Sequence, residues 1–194
     1  MKLVRGWPGR VVVIALVAAF VGILFTTGCA VPVGKSPPET LGSTEATLGQ
    51  FPGVTPQPVQ QPQPPSLKDP RTAVYSYLLW ISYAYRVLNS DVASKTFDPY
   101  EEVRVNSYVM YNVQAGRAID QRLLDATLKA WESKGDTATV SLNESWVYRY
   151  ISTKTGNYTT PALNVSYDTT YTVVKIKNDW VVHSVEATSS DPVK

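Results

Sequence analysis

Cysteine and histidine are nearly missing: Cys29 and His183 are the single representatives of their kinds in 194 residues. One cysteine excludes an internal disulfide and any cysteine cluster for metal or redox chemistry. One histidine excludes a multi-histidine metal site. A nucleophile elbow, a glycine-rich phosphate cradle and a run of metal-ligand spacings are missing as well. Neither a metal nor a cofactor is therefore expected. An excess of basic charge is missing too, once the first 28 residues are set aside. Lys2, Arg5 and Arg10 are three of the 18 basic side chains, so the remainder carries 15 against 16 acidic ones. That balance excludes nucleic acid as a partner recognised by bulk charge.

What is present begins with an export signal over residues 1–28. Three basic residues precede an apolar run at positions 11–25, followed by Thr26, Thr27, Gly28 and Cys29. A spanning helix needs about 20 apolar residues, so length alone leaves an uncleaved anchor open. The stretch Phe25-Thr26-Thr27-Gly28-Cys29 resembles the lipobox of bacterial lipoproteins, with Thr26 where a branched aliphatic is commoner. The resemblance implies a lipid on Cys29, which becomes the new N-terminus. Three states stay open: lipoprotein, helix-anchored protein, or secretion without an anchor. Each puts the chain on the outer face of the cytoplasmic membrane or in the periplasm, because the basic end stays inside.

Residues 29–69 are expected to form a disordered stalk. Nine prolines fall there, and the stretch from Thr55 to Pro65 is nearly all Pro, Gln and Val. Such a composition buries little apolar surface and favours polyproline II. A docking motif for a proline-recognition module is the second reading of this segment.

One domain is expected over residues 70–188, with a polar tail at 189–194. Asp69-Pro70 is a cap followed by a first-turn proline. Val74, Leu78, Ile81, Tyr85 and Leu88 then give one apolar helical face, widened by Tyr77, Trp80, Ala84 and Val87. Asp98-Pro99-Tyr100-Glu101 opens a second helix with Glu101 closing a capping box. That helix should run to about Gly116, with Val105, Val109, Asn112, Val113 and Gly116 inward. A short helical turn is expected at 91–97.

Beyond Ala118 the period becomes two. Leu124, Ala126, Leu128 and Ala130 form one apolar row, and Ala138, Val140, Leu142, Trp146, Tyr148 and Tyr150 another, the latter opposite a polar row that includes Arg149. A turn at 133–136 separates them. Two further strands, 165–176 and 180–187, flank a hairpin turn placed at Asn178-Asp179. Helices followed by strands mean an α+β fold: two to three helices packed on a curved four-stranded antiparallel sheet.

This order resembles the nuclear-transport-factor-2-like superfamily, cone-shaped domains with a cavity between helices and sheet. The closing stretch from Tyr167 to Glu186, with its Tyr and Thr strand, tight turn, Trp180 and Val185-Glu186, carries most of the likeness. It is also similar to the small intermembrane-side domain of plastid and cyanobacterial division proteins. The superfamily includes isomerases, dehydratases, binding modules and scaffolds, so the resemblance implies a fold rather than an activity.

Candidate chemistry is sparse. Glu144 falls on the apolar row between Leu142 and Trp146, where it is either a cavity acid or turned to water by a β-bulge. His183 can be a general base beside a cavity or a packed histidine with a backbone partner. Asp120 and Asp125 are candidates only by analogy with acids of the resembled superfamily. Tyr85, Tyr108, Trp146, Tyr148 and Tyr150 are expected to line a cavity or an interface, with Tyr77, Tyr83 and Tyr111 as further ring donors. The expected function is a non-catalytic module binding an envelope protein or a small apolar ligand. The alternative is an isomerase or dehydratase using Glu144 and His183. Oligomeric state is not legible.

Overall fold

Asp69 opens the first helix as the sequence predicts. Its carboxylate accepts from the backbone N–H of Arg71 at 2.9 Å and of Thr72 at 3.3 Å, and Pro70 fills the first helical position. The computed structural model describes residues 39–42 and 54–190. The elements, in chain order, are β1 (Glu39–Gly42), α1 (Pro70–Val87), a 3₁₀ turn at Ser90–Ala93, α2 (Pro99–Gln114), β2 (Arg117–Lys134), β3 (Thr137–Ser152), β4 (Leu163–Ile176) and β5 (Asp179–Ser189). The strands pair antiparallel in the order β1-β2-β3-β4-β5, so the predicted four-stranded sheet carries a short fifth strand on the β2 edge. Cys29 and the expected leader lie outside the described residues, as do 191–194. Among the described residues no helix is long and apolar enough to cross a membrane.

α1 buries Val74, Tyr77, Leu78, Ile81, Ala84 and Tyr85 against the inner face of the sheet. Each large aliphatic side chain there contributes about 1.5–3 kcal/mol of hydrophobic burial. Val87, predicted inward, is 38% exposed. The helix ends at Leu88, which takes a left-handed φ of 54° and packs against Ala118, Ile151 and Tyr158.

α2 keeps its expected Asp98 cap and first-turn Pro99 but not the capping box. Asp98 accepts from the N–H of Tyr100 and Glu101, but its own N–H donates to the Val182 carbonyl at 3.0 Å. Glu101 does not close a capping box; its side chain turns inward and is buried. Val105, Val109 and Asn112 face the core as predicted, whereas Val113 is exposed. Gly116 lies past the helix at φ +65°, where a glycine turns the chain into β2.

Two bulges in β2 shift the predicted apolar row. The register with β3 slips at Leu124 and again at Lys129, so Leu123 is buried and Leu124 exposed. Ala126 keeps its inward place, while Ala130 is exposed. The β4–β5 turn sits at Lys177-Asn178, one residue earlier than predicted, with Ile176 paired to Asp179. A bulge at His183 then leaves it opposite no β4 residue: Val182 faces Val173 and Ser184 faces Thr172.

The proline-rich segment holds a second correction. From Val54 it is not a free stalk but a strap lying antiparallel to α1. Tyr158 N–H donates to the Val54 carbonyl at 3.0 Å, Arg86 Nη2 to Gln57 O at 3.4 Å, and Trp80 Nε1 to Gln63 O at 3.1 Å. Ser66 N–H donates to Ser76 Oγ at 2.9 Å, and Trp180 N–H to the Leu67 carbonyl at 2.8 Å. A polyproline-like chain makes no internal hydrogen bonds, so its carbonyls are available to these outside donors. Proline also lowers the entropy that docking must remove.

Candidate functional site

Between the helices and the inner sheet face lies a cavity of about 230 Å³. Seven of its seventeen lining residues are aromatic: Tyr77, Tyr108, Trp146, Tyr148, Tyr150, Tyr167 and Tyr171. The alternation of β3 points Glu144, Trp146, Tyr148 and Tyr150 to this side. The opposing walls come from α1 through Leu78 and Ile81, and from α2 through Arg104 and Tyr108. Val165 and Thr169 of β4 and Val185 and Ala187 of β5 line the cavity as well.

Glu144 is 3% exposed and faces inward; the bulge that could have turned it to water sits on β2 instead. Its Oε1 accepts from the Tyr171 hydroxyl at 2.5 Å, and its Oε2 from Trp146 Nε1 at 2.8 Å. Burial pushes this carboxyl above the usual glutamate range, and the hydrogen bonds from Tyr171, Trp146 and Thr169 pull it partly back. Burial also raises Tyr171 well above an ordinary tyrosine, and the neighbouring Glu144 charge adds to it.

A second buried carboxylate stands behind the α2 wall. Glu101 is 1% exposed and accepts from the Tyr77 hydroxyl and from Arg104, whose Nε lies 3.0 and 2.9 Å from its two oxygens. Arg104 Nη2 also donates to the Tyr77 hydroxyl at 2.7 Å. Burial works against the Arg104 charge, but the bonds to Glu101 outweigh it and hold the guanidinium firmly protonated. Tyr77 meets Tyr171 edge to face at 6.1 Å between ring centres, so the two networks touch.

Of the residues singled out from the sequence, Glu144, Tyr108, Trp146, Tyr148 and Tyr150 meet in this cavity. Tyr85 is buried beneath it, edge-on to Tyr108 at 5.0 Å. His183 is elsewhere. Its Nδ1 lies 2.6 Å from Asp98 Oδ2 and its ring stacks on Tyr100 at 4.6 Å, facing an open groove between α2 and β5. Glu144 and His183 therefore share no cavity.

Asp120 and Asp125 also lie apart from it. Asp120 is buried towards the outer face, where it accepts from the Tyr158 hydroxyl and has Arg86 Nε at 3.7 Å. Arg149, expected on the polar face, is fully buried beside it with its guanidinium 4.6 Å from the Tyr158 ring. The loop carrying Tyr158 covers this end of β3, which makes both of its faces interior. Asp125 accepts from the Thr127 hydroxyl at 2.6 Å. Among the described residues no group of His, Cys, Asp and Glu has the arrangement of a metal site.

Sequence reasoning passed over Glu101, Arg104, Gln121, Tyr167, Thr169 and Tyr171 as cavity or network residues. Tyr171 was recoverable only with the right β4–β5 register, which the bulge at His183 conceals.

No protein-family model and no curated protein matches the chain. Solved structures do. The intermembrane-space region of the chloroplast protein ARC6 superposes with a TM-score of 0.55 at 18% identity, covering 63% of this chain and 98% of that one. A nuclear transport factor 2-like superfamily protein from Salmonella enterica serovar Typhimurium matches with a TM-score of 0.43 at 11% identity, covering 62% of this chain and 91% of that one. A ketosteroid isomerase-like protein from Erwinia carotovora gives 0.40 at 11% identity, covering 62% and 95%. The domain shares its fold with the ARC6 intermembrane-space region.

Proposed function

We propose that this chain is an extracytoplasmic lipoprotein, anchored through Cys29, whose domain is a non-catalytic module that holds a small ligand in the cone cavity. The observation that carries the binding reading is the cavity itself: seven aromatic residues around a carboxylate whose two oxygens are already engaged by Tyr171 and Trp146. About 230 Å³ is less than the 300–1,000 Å³ typical of sites for drug-sized ligands, so the occupant is about the size of a single ring. The enzyme alternative retains Glu144 as a cavity acid, but its other member, His183, faces the outer groove. A second reading, a protein partner, is favoured by the outward side of α2, where Tyr100, Val103, Met110 and Tyr111 are exposed.

Two readouts on the full chain test this. Intact mass after membrane extraction should match residues 29–194 plus a diacylglyceryl group, and a Cys29→Ala variant should lose it; an uncleaved mass refutes the lipoprotein. Phenol, indole and cyclohexanone should shift the Trp146 indole resonance saturably and raise Tm, about 2.7 kcal/mol of stabilisation at a hundredfold excess over Kd. No saturable shift from any of them, nor from a small organic cation such as choline, refutes the cavity reading. Turnover of a bound compound, lost in Glu144→Gln, would establish the enzyme instead.

A further inference from the structure

The charge of the ligand follows from the groups around the cavity, and this step rests on the small-ligand reading above. We propose that the cavity selects a compact organic cation, an alkylated ammonium, with Glu144 as its counter-charge and tyrosine and tryptophan rings as its walls.

Glu144 is a buried carboxylate with no ion-pair partner among the described residues. Tyr171 and Trp146 each donate one hydrogen bond, to different oxygens, and Thr169 is a third side-chain donor to the same carboxylate, so of about four lone pairs at least one stays open. Carboxylates in such surroundings are normally matched by a cation. The cation in the wall, Arg104, is not that match: it is committed to Glu101 and the Tyr77 hydroxyl. Among the lining residues Glu144 is therefore left without a cation of its own.

The rings supply the second half of the recognition. Trp146, Tyr108, Tyr148 and Tyr150 line the space next to that carboxylate. Aromatic faces attract a cation through their quadrupole, by about 2 kcal/mol or more when water is excluded. The protein already uses one of these rings so: Arg117, outside the cavity, lies 4.0 Å from the centre of Tyr150. Alkylated ammonium groups suit such a site better than a bare amine, because their methyl groups meet the rings and their hydration is weak. A primary ammonium would need three acceptors, whereas Glu144 offers only the lone pairs left by its donors.

Choline and its neutral carbon isostere, 3,3-dimethylbutan-1-ol, separate charge from shape. Each is titrated into the full chain while the Trp146 indole resonance is followed. Choline is expected to bind at least about tenfold more tightly than the isostere, and Glu144→Gln to abolish that ratio while the isostere still binds. Equal or tighter binding of the isostere overturns the inference, since Glu144 would then serve as a neutral donor to an uncharged ligand. So does silence from both compounds when phenol or indole binds, an outcome that leaves the cavity reading standing. Silence from every compound brings down that reading as well. The comparison within the native protein keeps the test valid even where Glu144→Gln folds poorly.

Discussion

Replacing Tyr171 by phenylalanine removes one oxygen atom from a fully buried side chain and takes away one of the donors that hold Glu144. The cost depends on the charge of the acceptor. A hydrogen bond to a charged group contributes about 1.5–3 kcal/mol, one between neutral groups about 0.5–1.5 kcal/mol. The folded protein raises the Glu144 pKa, so the native state binds that proton more tightly than the unfolded chain does. The resulting stability is fully present below about pH 4.5 and is lost as pH rises through the folded value. Tyr171→Phe deletes a bond that held the pKa down, so it prolongs that loss to higher pH. The variant should lose about 2 kcal/mol at pH 7.5, near 6–10 °C in Tm for a domain of this size, and roughly half as much at pH 4. Thermal unfolding followed by circular dichroism at the two pH values checks this. Every other carboxylate titrates alike in both proteins and cancels. Equal Tm losses at the two pH values, or a loss under about 2 °C at pH 7.5, would show that the Tyr171 bond does not support an ionised Glu144.

Glu101→Ala leaves the Tyr77 hydroxyl without its acceptor and Arg104 without its counter-charge; urea unfolding should show a loss of about 3 kcal/mol or more, with Glu101→Gln recovering part of it. Trp80→Phe deletes the indole bond to the Gln63 carbonyl, so proteolysis within residues 54–66 should quicken about fivefold while cleavage elsewhere stays unchanged.

The two helices and the strand β3 were legible because their signals are local. An aspartate-proline pair satisfies two orphan N–H groups within three residues, and the alternation along β3 continues without interruption from Ala138 to Trp146. Glu144 was legible for the same reason: its place on the apolar row was conspicuous. What escaped depended on contacts between distant residues. A bulge adds one residue to one strand, and nothing around Leu124 or His183 announces it; yet each slip changes which face the side chains beside it take. Glu101 was misread because a glutamate at the third helical position suits a capping box, and only the fold brings Tyr77 within reach of it. Arg149 followed a polar row correctly, but the loop bearing Tyr158 turned that row into interior. The strap was missed because its composition describes how it behaves alone, whereas its acceptors are met by Arg86, Trp80 and Ser76 on a helix that comes later in the chain.

That strap also sets how the domain responds to tension. A pull on the chain upstream would load β1, with its three register pairs, and then the contacts at Val54, Gln57, Gln63, Ser66 and Leu67 in turn. Contacts loaded in sequence break one at a time, each near 1 kcal/mol, rather than sharing the force. Each residue freed pays out up to about 3.3–3.6 Å of slack before the load reaches Asp69 and α1. Under such a pull the docked proline segment yields before α1 does, and leaves the walls of the cavity in place.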